Sequence, residues 1–186
     1  NNKKFIEFVL KKKISIKKTL FKIQKYKSKY KNYICFFVDA GQIKRKYSID
    51  NFSIIANKLL KNTNFKIIFL GRSKNDLSNL ELNKNFINLC QKTSLKDLVE
   101  IISRSKLLIS NDTCAQHIAA ATNTNCLVIY VGFHYGRFLP YPKSIYPKHN
   151  LIMHPKIKKK LFKNNLYKYQ DINNIRTEDV LKKIEN

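Results

Sequence analysis

Short runs of β-branched and aromatic residues alternate through this chain with stretches of helical spacing, and that alternation limits the fold more than any other feature. The runs at 33–38 (YICFFV), 65–70 (FKIIFL), 86–89 (FINL), 107–109 (LLI) and 126–131 (CLVIYV) are apolar almost throughout. Strands of that kind are covered on both faces. Between them, Phe52, Ile55, Leu59 and Leu60 repeat at helical spacing behind Ser48 or Asp50 as a cap. Residues 77–84 read as a short helix. Ser94-Leu95-Lys96-Asp97 has the form of a cap with an acidic partner three residues on, opening a helix with Leu95, Leu98, Val99, Ile101 and Ile102 on its apolar face. Residues 117–121 form a helix of small residues, and Thr177-Glu178-Asp179 opens a last helix whose Val180, Leu181 and Ile184 pack back on the sheet. Strands alternating with helices predict parallel pairing and right-handed crossovers. The expected fold is therefore α/β, a Rossmann-like parallel sheet of five strands over about 33–131, flanked by helices. Residues 1–32 stand apart as a basic helical linker or the remnant of another domain, and 33–186 form the domain proper.

Composition narrows the function. The 186 residues are 44% hydrophobic, with 12 Phe and 10 Tyr, enough for a sizeable core. Lys and Arg number 37 against 12 Asp and Glu, a formal charge of +25. The expected partner is anionic: a nucleotide, a phospholipid face or an acidic glycan. Nucleic acid is not the expected partner, because Lys far outnumbers Arg, the residue that reads base edges, and because Lys, Asn and Ile are over-used together, as A/T-rich coding would produce. No apolar run approaches 18 residues, which excludes a membrane-spanning helix. No signal peptide is visible in the opening residues Asn1, Asn2, Lys3 and Lys4. The sequence starts at Asn1 without methionine, as a piece of a longer chain would. Cys35, Cys90, Cys114 and Cys126 form no C-x-x-C pair, and each borders an apolar stretch. They read as reduced thiols packed as small hydrophobes in a cytoplasmic protein, and no metal site is expected.

In an open parallel sheet, ligands sit where strand ends run into helix N-termini. Three such loops carry chemistry. After the first strand come Asp39-Ala40-Gly41-Gln42-Ile43-Lys44-Arg45-Lys46, with a glycine that lets the backbone approach a ligand and three consecutive cations for phosphate. After the fourth run come Asn111-Asp112-Thr113-Cys114-Ala115-Gln116-His117, where a helix starts at once and its free amides offer an anion site. Asp112 or Asn111 would cap that helix, Thr113 would add a hydroxyl, and His117 lies one turn beyond Thr113 on the same face. As a structural alternative, Asp112 is only a cap and His117 only a polar core residue. The third loop, GFHYGRFLPYPKSIYP from Gly132, holds His134, Gly136 and Arg137 and is too long and aromatic for a mere connector. No G-x-x-x-x-G-K, G-x-S-x-G or G-x-G-x-x-G occurs, and no paired carboxylates stand at the strand ends.

The stretch LLISNDTCAQHIAAATNTNCLVIYVG resembles the signature of glycosyltransferase family 9, the heptosyltransferase-like enzymes: Asp112, Thr113, His117, Ala119, Ala120, Ala121 and Gly132 match its Asp-Ser/Thr-Gly-x-x-His-x-Ala-Ala-Ala run and following glycine. AGQIKRKYSIDNF, FKIIFLGRSKND, QKTSLKDLVEIISRSKLLISND and GRFLPYP resemble further family segments in the same order, over about residues 33–142. Cys114 stands where glycine is usual, Tyr47 and Ser48 replace Trp-Pro, Gln91 replaces glycine, and Asn125-Cys126 lacks a proline. The family lysine aligns with Arg45, with Lys44 and Lys46 as neighbours.

The resemblance implies the C-terminal, donor-binding half of a two-domain GT-B glycosyltransferase, here residues 33–186. It implies that Asp112, Thr113 and His117 hold the sugar and diphosphate, together with Gly41, Asn111 and Cys114 around them. Thr93 and Ser94 would lie near the nucleoside. Arg45 or Lys44, with His117, would carry the catalytic charge by neutralising the leaving phosphate. The donor would be a nucleotide-diphosphate sugar, with no separate cofactor and no metal. Transfer would invert C1 and deliver a hexosyl or heptosyl unit to a glycolipid or oligosaccharide acceptor of lipopolysaccharide core or a related bacterial surface glycan. The catalytic base would belong to the other domain, leaving this chain an incomplete catalytic unit, cytoplasmic and at most peripheral to an anionic inner membrane. The rival readings are a non-catalytic nucleotide-binding module and a basic protein binding RNA or a membrane surface through residues 1–32.

Overall fold

Each strand of the sheet buries apolar side chains on alternate faces, which is what sets the layers. The computed structural model describes residues 11, 30–81, 83–132, 135, 138–154, 156–157 and 171–185. Among these, six strands form one sheet: β1 (Tyr33–Phe37), β2 (Lys66–Leu70), β3 (Phe86–Asn88), β4 (Leu107–Asn111), β5 (Cys126–Tyr130) and β6 (His149–Met153). Their order is β3-β2-β1-β4-β5-β6, and every neighbouring pair is parallel. In register, Cys35 faces Ile68 on one side and Leu108 on the other, and Ile109 faces Leu127. Ile34, Phe36, Phe69, Ile109 and Ile129 point to one core. Tyr33, Cys35, Ile68, Leu108 and Val128 point to the opposite one.

Among the described residues, α1 (Ile49–Asn62), α2 (Leu95–Arg104), α3 (Cys114–Thr122) and α4 (Thr177–Glu185) cover the two faces. Helix α1 packs against α4 over the first core and α2 against α3 over the second. Ser48 caps α1 by accepting from the Asn51 amide at 3.1 Å. Ser94 and Asp97 form the expected reciprocal capping box on α2. Leu98, Ile101 and Ile102 bury the apolar face of α2, whereas Leu95, expected on that face, is exposed at the first turn.

The expected Rossmann-like sheet flanked by helices is thus present, with three differences. A sixth strand, β6, extends it. Its sequence HNLIM opens on two polar residues and it lies half-buried at an edge, so it lacks the continuous apolar run of an inner strand. The helix expected at 77–84 is absent: the described residues there form turns. Polar side chains capture the backbone instead, with the Glu81 amide donating to Asn57 Oδ1 at 2.9 Å, Asn57 donating to the Asn79 carbonyl at 3.0 Å and the Ser78 amide to Asp76 at 2.9 Å. Strand β4 runs two residues past the apolar LLI, through Ser110 and Asn111. The proposed arm at 1–32 lies outside the described residues except for 11 and 30–32.

The order places β1 and β4 side by side with the chain winding outward in both directions from them, so a crevice opens between their carboxyl ends. Asn111 ties that crevice together. Its side chain is fully buried, donates to the carbonyls of Val38 (3.1 Å) and Asp39 (3.2 Å), and accepts from the Tyr47 amide at 3.0 Å. The Tyr47 ring packs edge-on against Phe52, and its hydroxyl donates to the Ile175 carbonyl at 2.7 Å, joining the loop to α1 and the C-terminal segment. Replacing Asn111 with Ala leaves buried backbone groups without partners and is expected to lower stability by about 3 kcal/mol, measured by urea unfolding.

Candidate functional site

Two adjoining cavities lie in the crevice and share Phe37, Arg72 and Cys114 as a common seam. The larger, 580 Å³, is lined by the loop after β1 (Asp39, Ala40, Gly41, Arg45), by Arg72 and Ser73 after β2, by the start of α3 (Asp112, Thr113, Cys114, His117) and by Phe138. The smaller, 450 Å³, is lined by Gly71, Arg72, Gln91, Thr93, Ser94, Leu95, Leu98 and Cys114. The sequence supplies both by the same device, polar residues placed directly behind apolar strands.

Helix α3 aims its amino end at the larger cavity. Thr113, not Asp112 or Asn111, is its N-cap, accepting from the Ala115 amide at 3.3 Å. The remaining first-turn amides and the positive end of the helix dipole form an electropositive wall there, of the kind that suits an anion. Asp112 is free of the capping role and does something else. Its Oδ1 accepts from Gln116 Nε2 at 2.6 Å, and its Oδ2 lies 3.6 Å from Arg45 Nη1. Arg45 is therefore oriented by a carboxylate at the cavity wall, and its buried Nε has no hydrogen-bond partner among the described residues. Lys44 is exposed and does not line the cavity, so the loop turns Arg45, of the two, toward it.

Asp39, which the sequence reading left without a role, organises the other wall. Its Oδ2 accepts from the amides of Arg72 and Ser73, the latter at 2.7 Å, and its Oδ1 pairs with Lys46 Nζ at 3.4 Å. Burial pushes the Asp39 carboxyl up, but those hydrogen bonds and the Lys46 charge outweigh it and hold it below the usual carboxylate range. Gly71 is required here by space: a Cβ would come within 2.7 Å of Asp39 Oδ2. The clamp sets the backbone from which Arg72 reaches the seam. Gln91, beside the smaller cavity, has φ of 64°. That left-handed conformation favours glycine, which accounts for the glycine usual at this place in the resembled family.

A second layer of side chains stands behind α3. His149 is buried, with Nε2 at 3.4 Å from Gln116 Oε1, and its ring stacks on Tyr146. The Tyr146 hydroxyl donates to the Thr124 carbonyl. His117 Nδ1 lies 2.6 Å from the Tyr141 hydroxyl. Burial lowers the His117 pKa, with Asp112 pulling the other way. Burial, then Lys143 and His117, bring His149 down to about 4.

Of the residues singled out in the sequence, the structure brings Gly41, Arg45, Asp112, Thr113, Cys114 and His117 to one cavity and Thr93 and Ser94 to its neighbour. Asn111 is placed elsewhere: its amide is spent inside the protein, and it lines neither cavity. Three cysteines are buried as expected, but Cys114 is exposed in the crevice. His134, Gly136 and Arg137 lie outside the described residues. Arg72, Asp39, Gln116, Tyr141 and His149 went unassigned. Asp39 and Arg72 carried a signal, each standing two residues past the end of a strand, whereas Gln116, Tyr141 and His149 meet through folding alone.

The model of Glycosyltransferase family 9 (heptosyltransferase) matches residues 6–167. No curated protein matches the chain. Among solved structures, the chain resembles E. coli heptosyltransferase WaaC with ADP, at TM-score 0.61 and 14% identity over 83% of this chain and 43% of that one. E. coli ADP-heptose lps heptosyltransferase II is similar at TM-score 0.60 and 18% identity, over 85% and 46%. The family 9 glycosyl transferase of Veillonella parvula DSM 2008 gives 0.59 and 20%, over 82% and 44%. The chain spans less than half the length of each. At these identities the likeness shows a shared fold.

The buried His149 links stability to pH. Its folded pKa of about 4 lies below the ordinary value, so between that ordinary value and pH 4 the unfolded chain binds a proton that the folded one does not. Stability therefore falls as pH drops through this window, by on the order of 2 kcal/mol between pH 7.5 and pH 5. Urea midpoints at the two pH values should show this loss, and His149→Phe should flatten it.

Proposed function

Because this chain belongs to glycosyltransferase family 9, we propose that its crevice is the donor site of a glycosyltransferase, holding a nucleotide-diphosphate sugar for inverting transfer to lipopolysaccharide core or a related surface glycan. The observation that carries this reading is the meeting of Arg45, Arg72, His117 and the amino end of α3 in one cavity that opens into a second beside it. The diphosphate lies in the first, where cations and helix amides meet it. The nucleoside lies in the second, against Thr93, Ser94 and Leu98.

Asp112 faces the same cavity. A carboxylate repels phosphate, so its ligand is a sugar hydroxyl, which donates to it. The pair Asp112–Arg45 thus reads the donor on both sides of the bond that breaks. As the sugar C1–O bond lengthens, negative charge gathers on the leaving diphosphate. Arg45 and the α3 amides are already aimed there and need no reorganisation. The acceptor hydroxyl attacks C1 from the opposite face, and its proton goes to a base outside the residues assigned here. The domain boundary at residue 33, a peripheral membrane contact and a glycolipid acceptor belong to this proposal. A second reading, nucleotide binding without transfer, is favoured by Cys114, whose thiol occupies the seam between the two cavities.

Calorimetric titration tests the reading. The chain is expected to bind ADP, and Arg45→Ala to weaken it by about 10-fold or more, the loss of one charge-assisted contact. Asp112→Asn should weaken an ADP-sugar more than ADP itself. A chain that binds no nucleoside diphosphate, or an Arg45→Ala variant that binds ADP as the wild type does, would remove the proposal.

A further inference from the structure

We propose that Tyr141 is a positioning residue that locks His117 in the Nε2–H tautomer, so that a neutral imidazole offers a hydrogen-bond donor to the diphosphate; this rests on the donor-site reading above. The Tyr141 hydroxyl lies 2.6 Å from His117 Nδ1, a short and direct hydrogen bond. The phenol is held in place from behind. Its ring sits edge-on to Tyr146, with centroids 5.7 Å apart, and edge-on to His149 at 5.3 Å. Tyr146 is anchored in turn through its hydroxyl to the Thr124 carbonyl. Residues from three places in the chain, α3, the aromatic loop and β6, therefore converge to fix one oxygen beside one ring nitrogen.

Counting protons among the side chains favours one direction for this bond. Burial raises the Tyr141 pKa, so the phenol keeps its hydrogen at neutral pH. That hydrogen has one acceptor among the described residues, His117 Nδ1. Were Nδ1 protonated instead, it would donate to the phenol oxygen, and the phenol hydrogen would have only solvent to accept it, the described side chains offering no second acceptor. With Nδ1 accepting, the ring proton of the neutral imidazole must sit on Nε2. Nε2 has no hydrogen bond among the described residues, and His117 lines the larger cavity. The same cavity holds Arg45 and Asp112, so the imidazole adds a directed donor rather than another charge.

Nuclear magnetic resonance of the 15N-histidine-labelled chain reads the tautomer directly. The wild-type chain at pH 7.5 is expected to show His117 as the neutral Nε2–H form, and Tyr141→Phe to convert it to a mixture. Calorimetry with ADP should show about fivefold weaker binding by Tyr141→Phe, with the thermal midpoint recorded alongside. His117→Gln, whose amide nitrogen falls near Nε2, should retain more affinity than His117→Asn, whose nitrogen falls near Nδ1. Adding Tyr141→Phe to His117→Gln should cost nothing further, since no tautomer remains to be set. An Nδ1–H signal in the wild type overturns the proposal, and this holds even if Tyr141→Phe fails to fold. ADP binding that is equal in wild type and Tyr141→Phe overturns it while leaving the donor site standing. A wild-type chain that binds neither ADP nor pyrophosphate overturns the donor site itself, and with it the role given to Nε2.

Discussion

A single buried amide holds the crevice open in the right shape. Asn111 stands at the end of β4 and bonds the last carbonyls of the neighbouring strand region and the backbone of Tyr47. Parallel strands that wind outward from a central pair leave a gap at their carboxyl ends. A gap of that kind would collapse or splay unless its rims were pinned. Asn111 pins them with three hydrogen bonds from one fully buried side chain, and such bonds hold geometry tightly because the alternative is an unpaired buried group. The loop that carries Arg45 and the helix that carries Thr113 and His117 take their relative positions from that tie.

The charges of the crevice follow a consistent division. Carboxylates fix side chains and backbone at the wall, and Arg45 and Arg72 face the space. Asp112 orients Arg45, and Asp39 ties Lys46 and the two amides that carry the Arg72 backbone. In a chain of net charge +25, cations are plentiful and positioned carboxylates are scarce. Charge alone would attract any anion. The fixed carboxylates convert that general attraction into a directed site, because each restricts where a neighbouring cation or amide can point.

Behind this wall lies an unusual amount of aromatic and imidazole surface. Tyr141, Tyr146, His117 and His149 pack within one cluster, with His149 linked through Gln116 to Asp112. The cluster places the buried His149 ring behind the cavity wall and the exposed His117 ring at the cavity itself. Such groups resist rearrangement, since charging His149 within its packed surroundings is disfavoured. The aromatic loop after β5 thus serves the site from behind as well as through Phe138 at its rim.

The parallel strands, the helix caps at Ser48 and Ser94 and the loops that carry the site were legible in the residues themselves. These depend on local patterns: continuous apolar runs, a serine before a helical repeat, polar residues just after a strand. The β6 edge strand and the turns at 77–81 were not legible, because one is half-buried and the others are held by Asn57 and Asp76. The sequence also identified Arg45, Asp112 and His117 as candidates but could not rank Arg45 over Lys44 or separate the roles of Asn111 and Asp112. Those decisions turn on burial and direction. Asn111 and Asp112 are adjacent in the chain, yet one ends a strand with its side chain inside and the other begins a turn with its side chain at the cavity. Spacing along the chain determines which residues reach a strand end together. Only the tertiary packing decides which of them is sealed into the protein and which faces the cavity, because that depends on contacts from Val38, Tyr47, Tyr141 and His149, all distant in sequence.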